Sequence, residues 1–348
     1  MKNEFLGALT EIVREKGISE EELLAVLDEA IVAAYKKNYS SQAQNVKIRR
    51  TKDGAIKVFA QKEIVEEVYD DSTEISLEEA KAINAVLQLE DIVDVEVTPK
   101  NFGRVAAQLA KQMVIQKIKE SERSIIYNEF AEQEHDIITG IVLRKDKINA
   151  FIDLGKIEAI LGPNEQMPGE HYDFNEKLKL YIVEVRDSSK GPQVVVSRTH
   201  PGLIKRLFEL EVPEIFEGIV EIKSIAREAG SRTKISVYSN DETIDPMGAC
   251  VGPKGIRVQN IVGELKNEKI DIIKWSNSSE SYIENALSPA KVIGVTVDED
   301  SKSARVVVED SQLSLAIGKE GQNVRLAAKL TGWKIDIKSQ SQSEAKSE

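Results

Sequence analysis

The sequence of 348 residues contains one cysteine, Cys250, and three histidines, His135, His171 and His200. A single cysteine cannot form an internal disulfide, which excludes a disulfide-stabilised fold and favours a reducing, cytoplasmic location. The apolar neighbours of Cys250 indicate a buried small hydrophobe rather than a nucleophile. The histidines lie too far apart in sequence for a local metal-binding motif, so no metal site is expected.

Long apolar segments are also missing. No run approaches the roughly 18 residues that a membrane-spanning helix needs. The N-terminal sequence MKNEFLGALTEIVREKG predicts an amphipathic helix with acidic residues and lacks the core of a signal peptide. No membrane partner is therefore expected. The composition, 41% hydrophobic and 30% charged, is typical of folded domains, and the length predicts two to four of them.

An excess of positive charge is the third missing feature. The formal net charge is −12, and none of the segments 1–130, 131–200 and 201–348 is basic overall. Any binding of nucleic acid must therefore come from local grooves, with few phosphate contacts and a modest dependence on salt. The acidic first segment favours a protein partner over a polyanion.

Sequence motifs of common enzymes are absent as well. The stretch GACVGPKG superficially resembles a phosphate-binding loop but lacks the GxxxxGK spacing, and no GxGxxG follows a predicted strand. No HExxH or Ser/His/Asp arrangement occurs, and the carboxylates show no distinctive pairing. The sequence predicts a protein that is not an enzyme, with no catalytic residue and no cofactor.

Residues 1–130 are predicted to form an α+β domain. A capping box of Ser19 and Glu22 begins one helix, and Ser76 with Glu79 begins a shorter helix that ends near Leu87. Strands are expected at 46–50, 56–65 and 92–98, with a hairpin turn at Asp53-Gly54. A long helix is expected from about residue 102 to 130.

One face of that long helix carries a polar stripe. Arg104, Gln108 and Lys111 stand at positions i, i+4 and i+7, opposite an apolar face that includes Leu109 and Met113. On the residues alone, the stripe is either a solvated face or a contact surface.

Residues 131–200 are rich in short β-strands. Five runs, at 137–144, 149–154, 157–161, 179–186 and 194–197, are separated by turn residues. Five strands in so short a segment fit a closed barrel such as an OB-fold, although another small barrel or a sandwich is equally compatible. Phe151 could stack on a base and Arg198 could contact a phosphate. Alternatively, Phe151 belongs to the core and Arg198 is a surface charge.

Residues 201–340 contain an internal repeat. The stretch CVGPKGIRVQNIVGEL recurs as AIGKEGQNVRLAAKL, which aligns Gly252 with Gly318 and Gly255 with Gly321. A predicted helix and hairpin precede each copy, and KIDII or KIDIK follows. The units 201–276 and 277–340 therefore share the pattern α-β-β-α-GxxG-α-β, and a disordered tail is expected at 341–348.

A GxxG loop between two helices has a specific use. Its glycines allow a tight turn and close approach of a ligand backbone, and the next helix presents its first amides to phosphate. Two copies in one frame indicate tandem type II (prokaryotic) KH domains, each of which clamps about four single-stranded nucleotides. An acidic Glu320 in such a clamp is unfavourable unless it faces solvent. The candidate RNA-binding residues of the two clamps are Gly252, Pro253, Lys254, Gly255, Arg257, Gly318, Lys319, Glu320, Gly321, Gln322, Asn323 and Arg325.

The whole pattern resembles the NusA family of bacterial transcription factors. The most specific stretches are DPMGACVGPKGIRVQNIV, EKIDIIKW, LAIGKEGQNVRLAAKLTGW and NFGRVAAQLAKQ. The resemblance spans residues 1 to about 338 and implies a multidomain α+β protein. Its parts are an N-terminal RNA polymerase-binding domain (1–130), an S1-type OB-fold barrel (131–200) and two KH domains.

The resemblance implies a function and partners. The N-terminal domain would dock near the RNA exit channel of RNA polymerase, at the β-subunit flap, while S1 and KH domains hold nascent single-stranded RNA. The expected activity is modulation of pausing, intrinsic termination and antitermination, with other Nus factors, by a protein expected to be monomeric. In such a factor Arg104, Lys111 and, more weakly, Lys37 would contact a nascent RNA hairpin.

One departure from the family bears on regulation. Some members carry acidic repeats after the second KH domain that mask its surface, and this sequence lacks them, so no such self-inhibition is expected.

KH domains also occur in proteins of three other functional classes. A KH-bearing phosphorolytic enzyme would need a much longer core and KH before S1, and a KH-bearing GTPase would need a P-loop. A translation-linked RNA-binding protein or scaffold is opposed only through the resemblance, by the acidic first domain and the NFGRVAAQLAKQ helix.

Overall fold

The computed structural model describes residues 20–39, 45–51, 56–100, 102–188 and 191–344, and it divides into two compact units, Met1–Ile125 and Ile126–Glu348. Within the described residues, no helix has both the length and the apolar character to cross a membrane. The predicted N-terminal helix, Ser19 of the first capping box and the Asp53-Gly54 turn lie outside the described residues.

The first unit is an α+β structure built on a four-stranded sheet. The long central strand pairs antiparallel with two neighbours and parallel with a third, short one. In chain order the elements are α1 (Glu20–Tyr39), β1 (Val46–Arg50), β2 (Ile56–Val65, the central strand), β3 (Glu74–Ser76), α2 (Leu77–Ile83), β4 (Ile92–Glu96) and α3 (Phe102–Ala131), whose last turn and a half lies in the second unit.

Two apolar clusters stabilise the first unit. Ile31 of α1, Val58 of β2 and Phe102 of α3 belong to one, and Ile64 and Ile75 to the other. Ser76 caps α2 through its hydroxyl, which accepts a hydrogen bond from the backbone N–H of Glu79, as the capping box predicted.

The helix α2 ends earlier than its sequence pattern predicts. It stops at Ile83, and the next residue, Asn84, has an extended backbone conformation that cannot continue the helix. Leu87, near which the helix was expected to end, instead packs against the cluster of Ile64 and Ala80.

The second unit begins with a closed five-stranded barrel. Its strands follow the order β5-β6-β7-β9-β8, closed by antiparallel pairing of β5 with β8. The last turn of α3 supplies Phe130 to the barrel core. This closure decides against an open sandwich. The strands are β5 (Ile137–Lys145), β6 (Ala150–Asp153), β7 (Glu158–Leu161), β8 (Lys177–Arg186) and β9 (Gln193–Ser197).

Two α/β modules of equal topology follow the barrel. In each, two antiparallel strands are joined by a third strand parallel to the second, as the repeat predicts. The first module consists of α4 (Pro201–Glu211), α5 (Pro213–Phe216), β10 (Val220–Glu228), β11 (Arg232–Ser239), α6 (Pro246–Val251), α7 (Ile256–Glu264) and β12 (Lys269–Lys274). The second consists of α8 (Ser279–Ala286), β13 (Val292–Asp298), β14 (Ser303–Val308), α9 (Leu313–Ile317), α10 (Gln322–Thr331) and β15 (Lys334–Ser339).

A short helix, α11 (Gln340–Glu344), follows the second module, where a disordered tail was expected. The Ser341 hydroxyl donates a 2.8 Å hydrogen bond to Asp310, which holds this helix against the module.

The two modules are joined by a shared core and by polar contacts. Ala226 and Ile273 of the first module belong to the apolar cluster of the second. The Tyr282 hydroxyl of α8 donates to Ser236 of β11 at 2.9 Å. The fully buried Lys234 donates to Asp271 at 3.0 Å and to the carbonyl of Ser288 at 2.7 Å. These contacts fix one module against the other.

Candidate nucleic-acid interface

The two GxxG loops have the same backbone conformation. Gly252 and Gly318 have φ/ψ of 73/174° and 76/170°, and the last glycines, Gly255 and Gly321, have 78/11° and 74/14°. The third loop position is left-handed in both, with φ of 53° at Lys254 and 54° at Glu320. The sequence repeat therefore extends to loop geometry.

The first glycine of each loop is required by space as well as by backbone conformation. A Cβ on Gly252 would lie 2.6 Å from the Cγ of Arg257, and one on Gly318 would lie 2.8 Å from the backbone N of Asn323. At Gly321, by contrast, a Cβ would meet no atom within 4 Å. The last glycine thus leaves open space beside the loop, where a ligand backbone can approach closely.

The side chains of both loops face solvent. Pro253 and Lys254 are exposed in the first loop, and Lys319 and Glu320 in the second. Exposure of Glu320 meets the condition under which an acidic residue is tolerated there. The two lysines remain available for phosphate.

An apolar surface lies on the helix that precedes each loop. Met247 and Val251 are each 36% exposed on α6, and Leu315 and Ile317 are 45% and 38% exposed on α9. Such a surface beside a phosphate clamp is where the bases of a clamped strand would lie.

Two depressions are lined by residues of both modules, and both include Pro289. One, of about 490 Å³, also contains Met247 and Lys274, and the other, of about 380 Å³, contains Lys269 and Lys319. Lys269 and Lys274 are exposed. Sequence reasoning missed these residues as candidates, although the repeated KIDI motif marks the strand that carries both lysines.

Two of the predicted basic contacts have partners within the fold. Arg257 donates from Nη1 to Glu214 at 2.9 Å and to the carbonyl of Ala249 at 2.7 Å, and it is half-buried beneath Gly252. Arg325 donates to Glu228 at 2.6 Å and is 47% exposed. Arg257 thus packs against the first loop and stabilises it through these hydrogen bonds, while Arg325 remains at the surface.

The contact of Arg325 with Glu228 links the second loop to the first module. Gln322 donates to Glu228 and to the hydroxyl of Ser231, each at 2.8 Å. The hydrogen bond from Arg325 holds the pKa of Glu228 below its ordinary value. The carboxylate of Glu228 therefore accepts hydrogen bonds from Gln322 and Arg325, two residues that are predicted to bind RNA.

We expect Glu228→Gln to raise the affinity for single-stranded RNA by about two- to fivefold, because a part-exposed ion pair contributes up to about 1 kcal/mol. Fluorescence anisotropy with a short labelled RNA would measure it. Glu221→Gln is the matched control, since Glu221 lies on the same strand and pairs with Lys223. Equal affinities of the two variants would show that Glu228 does not restrain the clamp.

Arg198 is a correction to the sequence prediction. It is fully buried, so it neither contacts phosphate nor lies at the surface. Its Nη2 donates to Glu170 of the barrel, and its Nη1 donates at 3.1 Å to Glu264 of α7. Burial alone would lower the pKa of Arg198, but these carboxylates raise it above the ordinary value. The residue joins the barrel to the first module.

Asn323 is a second correction. The residue is 4% exposed, and its Nδ2 donates at 3.0 Å to the carbonyls of Leu287 and Ala316. Its amide therefore ties α10 to the end of α8 and to α9, and it does not read a base.

Phe151 lies on β6 and is half-buried. Its neighbours Ala150 and Ile152 point into the barrel core, and Phe151 lies on the opposite face of the strand, so it is not a core residue. The guanidinium of Arg144 lies over its ring at 3.6 Å from the centroid and pairs with Glu158 at 2.7 Å. A base that stacks on this ring must share it with, or displace, Arg144.

In the first unit, the side chains of Arg104, Gln108, Lys111 and Lys37 are exposed. A depression of about 500 Å³ between α1 and α3 is lined by Lys37, Gln108 and Gln112. The structure thus places Lys37 beside the polar stripe of α3, which sequence spacing could not show.

Cys250 is buried, and burial raises the pKa of its thiol to about 12, so it is not a nucleophile at neutral pH. In the part of the chain that the structure describes, no group of three His, Cys, Asp or Glu side chains could hold a metal ion.

Two GxxG loops of equal geometry on tandem modules, preceded by a five-stranded barrel, define a protein of the S1 and KH class of RNA-binding proteins. Four sequence families match the chain: the NusA N-terminal domain at residues 4–124, the S1 RNA binding domain at 132–197, and the NusA-like first and second KH domains at 198–275 and 279–345. The chain therefore belongs to the NusA family.

Curated relatives agree with this assignment. Proteins named transcription termination/antitermination protein NusA from Halalkalibacterium halodurans and Bacillus subtilis are each 57% identical to this chain. The matches cover 99% and 98% of this chain and 90% and 92% of the relatives. A NusA from Thermus thermophilus is 43% identical over 96% of this chain and 89% of its own length.

Among solved structures, the N-terminal domain of NUSA from B. subtilis is 49% identical over 35% of this chain, with a TM-score of 0.32. The predicted family and the predicted domain types are confirmed. So is the prediction that the chain is not an enzyme, because its relatives are transcription factors.

Proposed function

We propose that this chain is an RNA-binding transcription elongation factor. It binds RNA polymerase near the RNA exit channel, at the β-subunit flap, and holds nascent single-stranded RNA. Through these contacts it modulates pausing, intrinsic termination and antitermination, together with other Nus factors. The observation that carries the proposal is the pair of loops with equal geometry on modules that are fixed against each other.

The fixed relation of the two modules supports one continuous RNA track. Each clamp would hold about four nucleotides, so the pair would hold roughly eight. The depressions that share Pro289 lie where the two modules meet and would offer Lys269 and Lys274 to the RNA backbone that connects the clamps. Because the modules do not move independently, binding at one clamp presents the strand to the other at high effective concentration.

The exposed stripe of α3 supports a separate contact in the first unit. Arg104 and Lys111, with Lys37 nearby on α1, would meet the phosphates of a hairpin that emerges from the polymerase. The polar stripe of α3 carries few positive charges, and a few phosphate contacts alone give weak binding. It therefore suits a short RNA duplex that a larger assembly already holds in place.

We also propose the division of the chain into segments 1–130, 131–200, 201–276, 277–340 and 341–348. A monomeric state and a cytoplasmic location stay predictions from the sequence.

Binding of the purified full chain to RNA polymerase tests the proposal. We expect it to co-migrate with a stalled elongation complex in size-exclusion chromatography at modest salt, and a nascent RNA long enough to reach the clamps to strengthen the binding. Failure to bind any polymerase complex, with RNA binding intact, would favour a translation-linked RNA-binding protein or a scaffold.

A further inference from the structure

The segment that joins α2 to β4 exposes apolar side chains to solvent. The exposed fractions are 53% for Ile83, 81% for Val86 and 66% for Ile92. Leu89, between them, is 39% exposed. Single exposed apolar residues are ordinary on a protein surface, but several in one short segment indicate a surface that another molecule covers.

The backbone of this segment is held in one conformation. The Oδ1 of Asn84 accepts a hydrogen bond from the N–H of Val86 at 3.2 Å, and the N–H of Glu90 donates to the carbonyl of Ile64 at 2.9 Å. Leu87 packs inward against the apolar cluster beneath it. The apolar side chains are therefore presented by an ordered segment, and a partner that covers them need not order a loop.

The sequence that contains the apolar segment is rich in acidic residues. Among residues 63–96, which we call the acidic lobe, twelve are Asp or Glu and only Lys81 is basic. Two of the carboxylates are paired within the unit, Asp94 with Arg49 and Glu96 with Lys57. The charge of the acidic lobe repels RNA and a second copy of the same surface, and it attracts a basic protein surface.

We propose that the acidic lobe is the surface through which the first unit docks on RNA polymerase, an inference that rests on the proposed function. Its partner is a polymerase segment that carries both Lys or Arg and apolar side chains. The apolar residues at 83–92 supply the buried centre of the contact, and the carboxylates form a charged rim that steers association. The basic stripe of α3 then remains available to RNA.

The double variant Val86→Lys/Ile92→Lys in the full chain tests the docking surface. Both positions are mostly exposed, so the fold should tolerate the change, which a melting curve would verify. We expect the affinity for core RNA polymerase, measured by biolayer interferometry, to fall by at least about tenfold. Affinity for single-stranded RNA should not fall. The matched control is Ile148→Lys, which replaces a 60% exposed apolar residue in the second unit.

Each outcome of this experiment is decisive. A loss of polymerase affinity in the double variant, with wild-type affinity in the control, supports the docking surface. Polymerase binding at wild-type strength in the double variant overturns the inference and leaves the proposed function intact. If the wild-type chain does not bind polymerase at all, both fail. A concentration-dependent dimer of the wild-type chain that the double variant abolishes would assign the surface to self-association and also overturn the inference.

Discussion

Replacing Lys254 and Lys319 with Asp is expected to lower the affinity for single-stranded RNA by about 100-fold, measured by fluorescence anisotropy. Each lysine is exposed at a GxxG loop. A charge-assisted hydrogen bond contributes about 1.5–3 kcal/mol, and every 1.4 kcal/mol changes affinity tenfold. Loss of two such contacts therefore accounts for the expected effect before any repulsion by the new carboxylates is counted.

The substitutions should leave the loops folded. Lys254 has a φ of 53°, a left-handed conformation that Asp adopts more readily than most residues. The control Lys205→Asp/Lys302→Asp carries the same net charge but changes two exposed lysines outside the loops. Glu320→Lys, at the loop position equivalent to Lys254, should strengthen binding by about threefold through one more phosphate contact. Unchanged RNA affinity in the Lys254/Lys319 variant would refute the clamps.

Replacing Arg198 with Ala is expected to reduce the free energy of unfolding of the second unit by about 3–5 kcal/mol. The substitution leaves the carboxylate of Glu170, itself 0% exposed at the side chain, without its positively charged partner in a buried junction. It also removes the hydrogen bonds to Glu264 and to the carbonyl of Lys179. Urea unfolding followed by circular dichroism would measure the change.

A surface arginine provides the matched control for Arg198. Arg186 pairs with Glu184 at 2.6 Å but is 60% exposed, so Arg186→Ala should cost no more than about 0.5 kcal/mol. The double variant Arg198→Met/Glu170→Met should recover part of the loss, because it removes both buried charges. If Arg198→Ala and Arg186→Ala unfold at the same urea concentration, the buried pair does not stabilise the junction.

Most of the fold could be predicted from local patterns. The repeat CVGPKG and AIGKEG fixes the helix-loop-helix frame of both modules, because glycine spacing and apolar spacing are properties of short segments. Alternation of apolar residues likewise predicts the barrel strands to within a few residues. The end of α2 at Ile83 could not be predicted, because it depends on tertiary packing: Leu87 packs against the apolar cluster that includes Ile64, and such packing overrides helix propensity.

The roles of individual polar residues were harder to predict than the fold. Arg198 looks like a surface cation in sequence, and its partner Glu264 lies 66 residues away. Asn323 follows a GxxG loop as a base-reading residue could, yet its partners are carbonyls at Leu287 and Ala316. In both residues, burial depends on contacts between elements distant in sequence. A sequence repeat shows which loops share a conformation. It does not show which of their side chains are buried by contact with other elements.

The most direct test of the account is the dwell time of RNA polymerase at a hairpin-stabilised pause, with and without the full chain. The wild-type chain should lengthen the pause, and Arg104→Ala/Lys111→Ala should remove most of that effect. The control Lys119→Ala, on the same helix, should behave like wild type, and Lys254→Asp/Lys319→Asp should retain the effect when the chain is saturating. An unchanged dwell time with the wild-type chain, while it binds RNA normally, would contradict its assignment as a pausing factor.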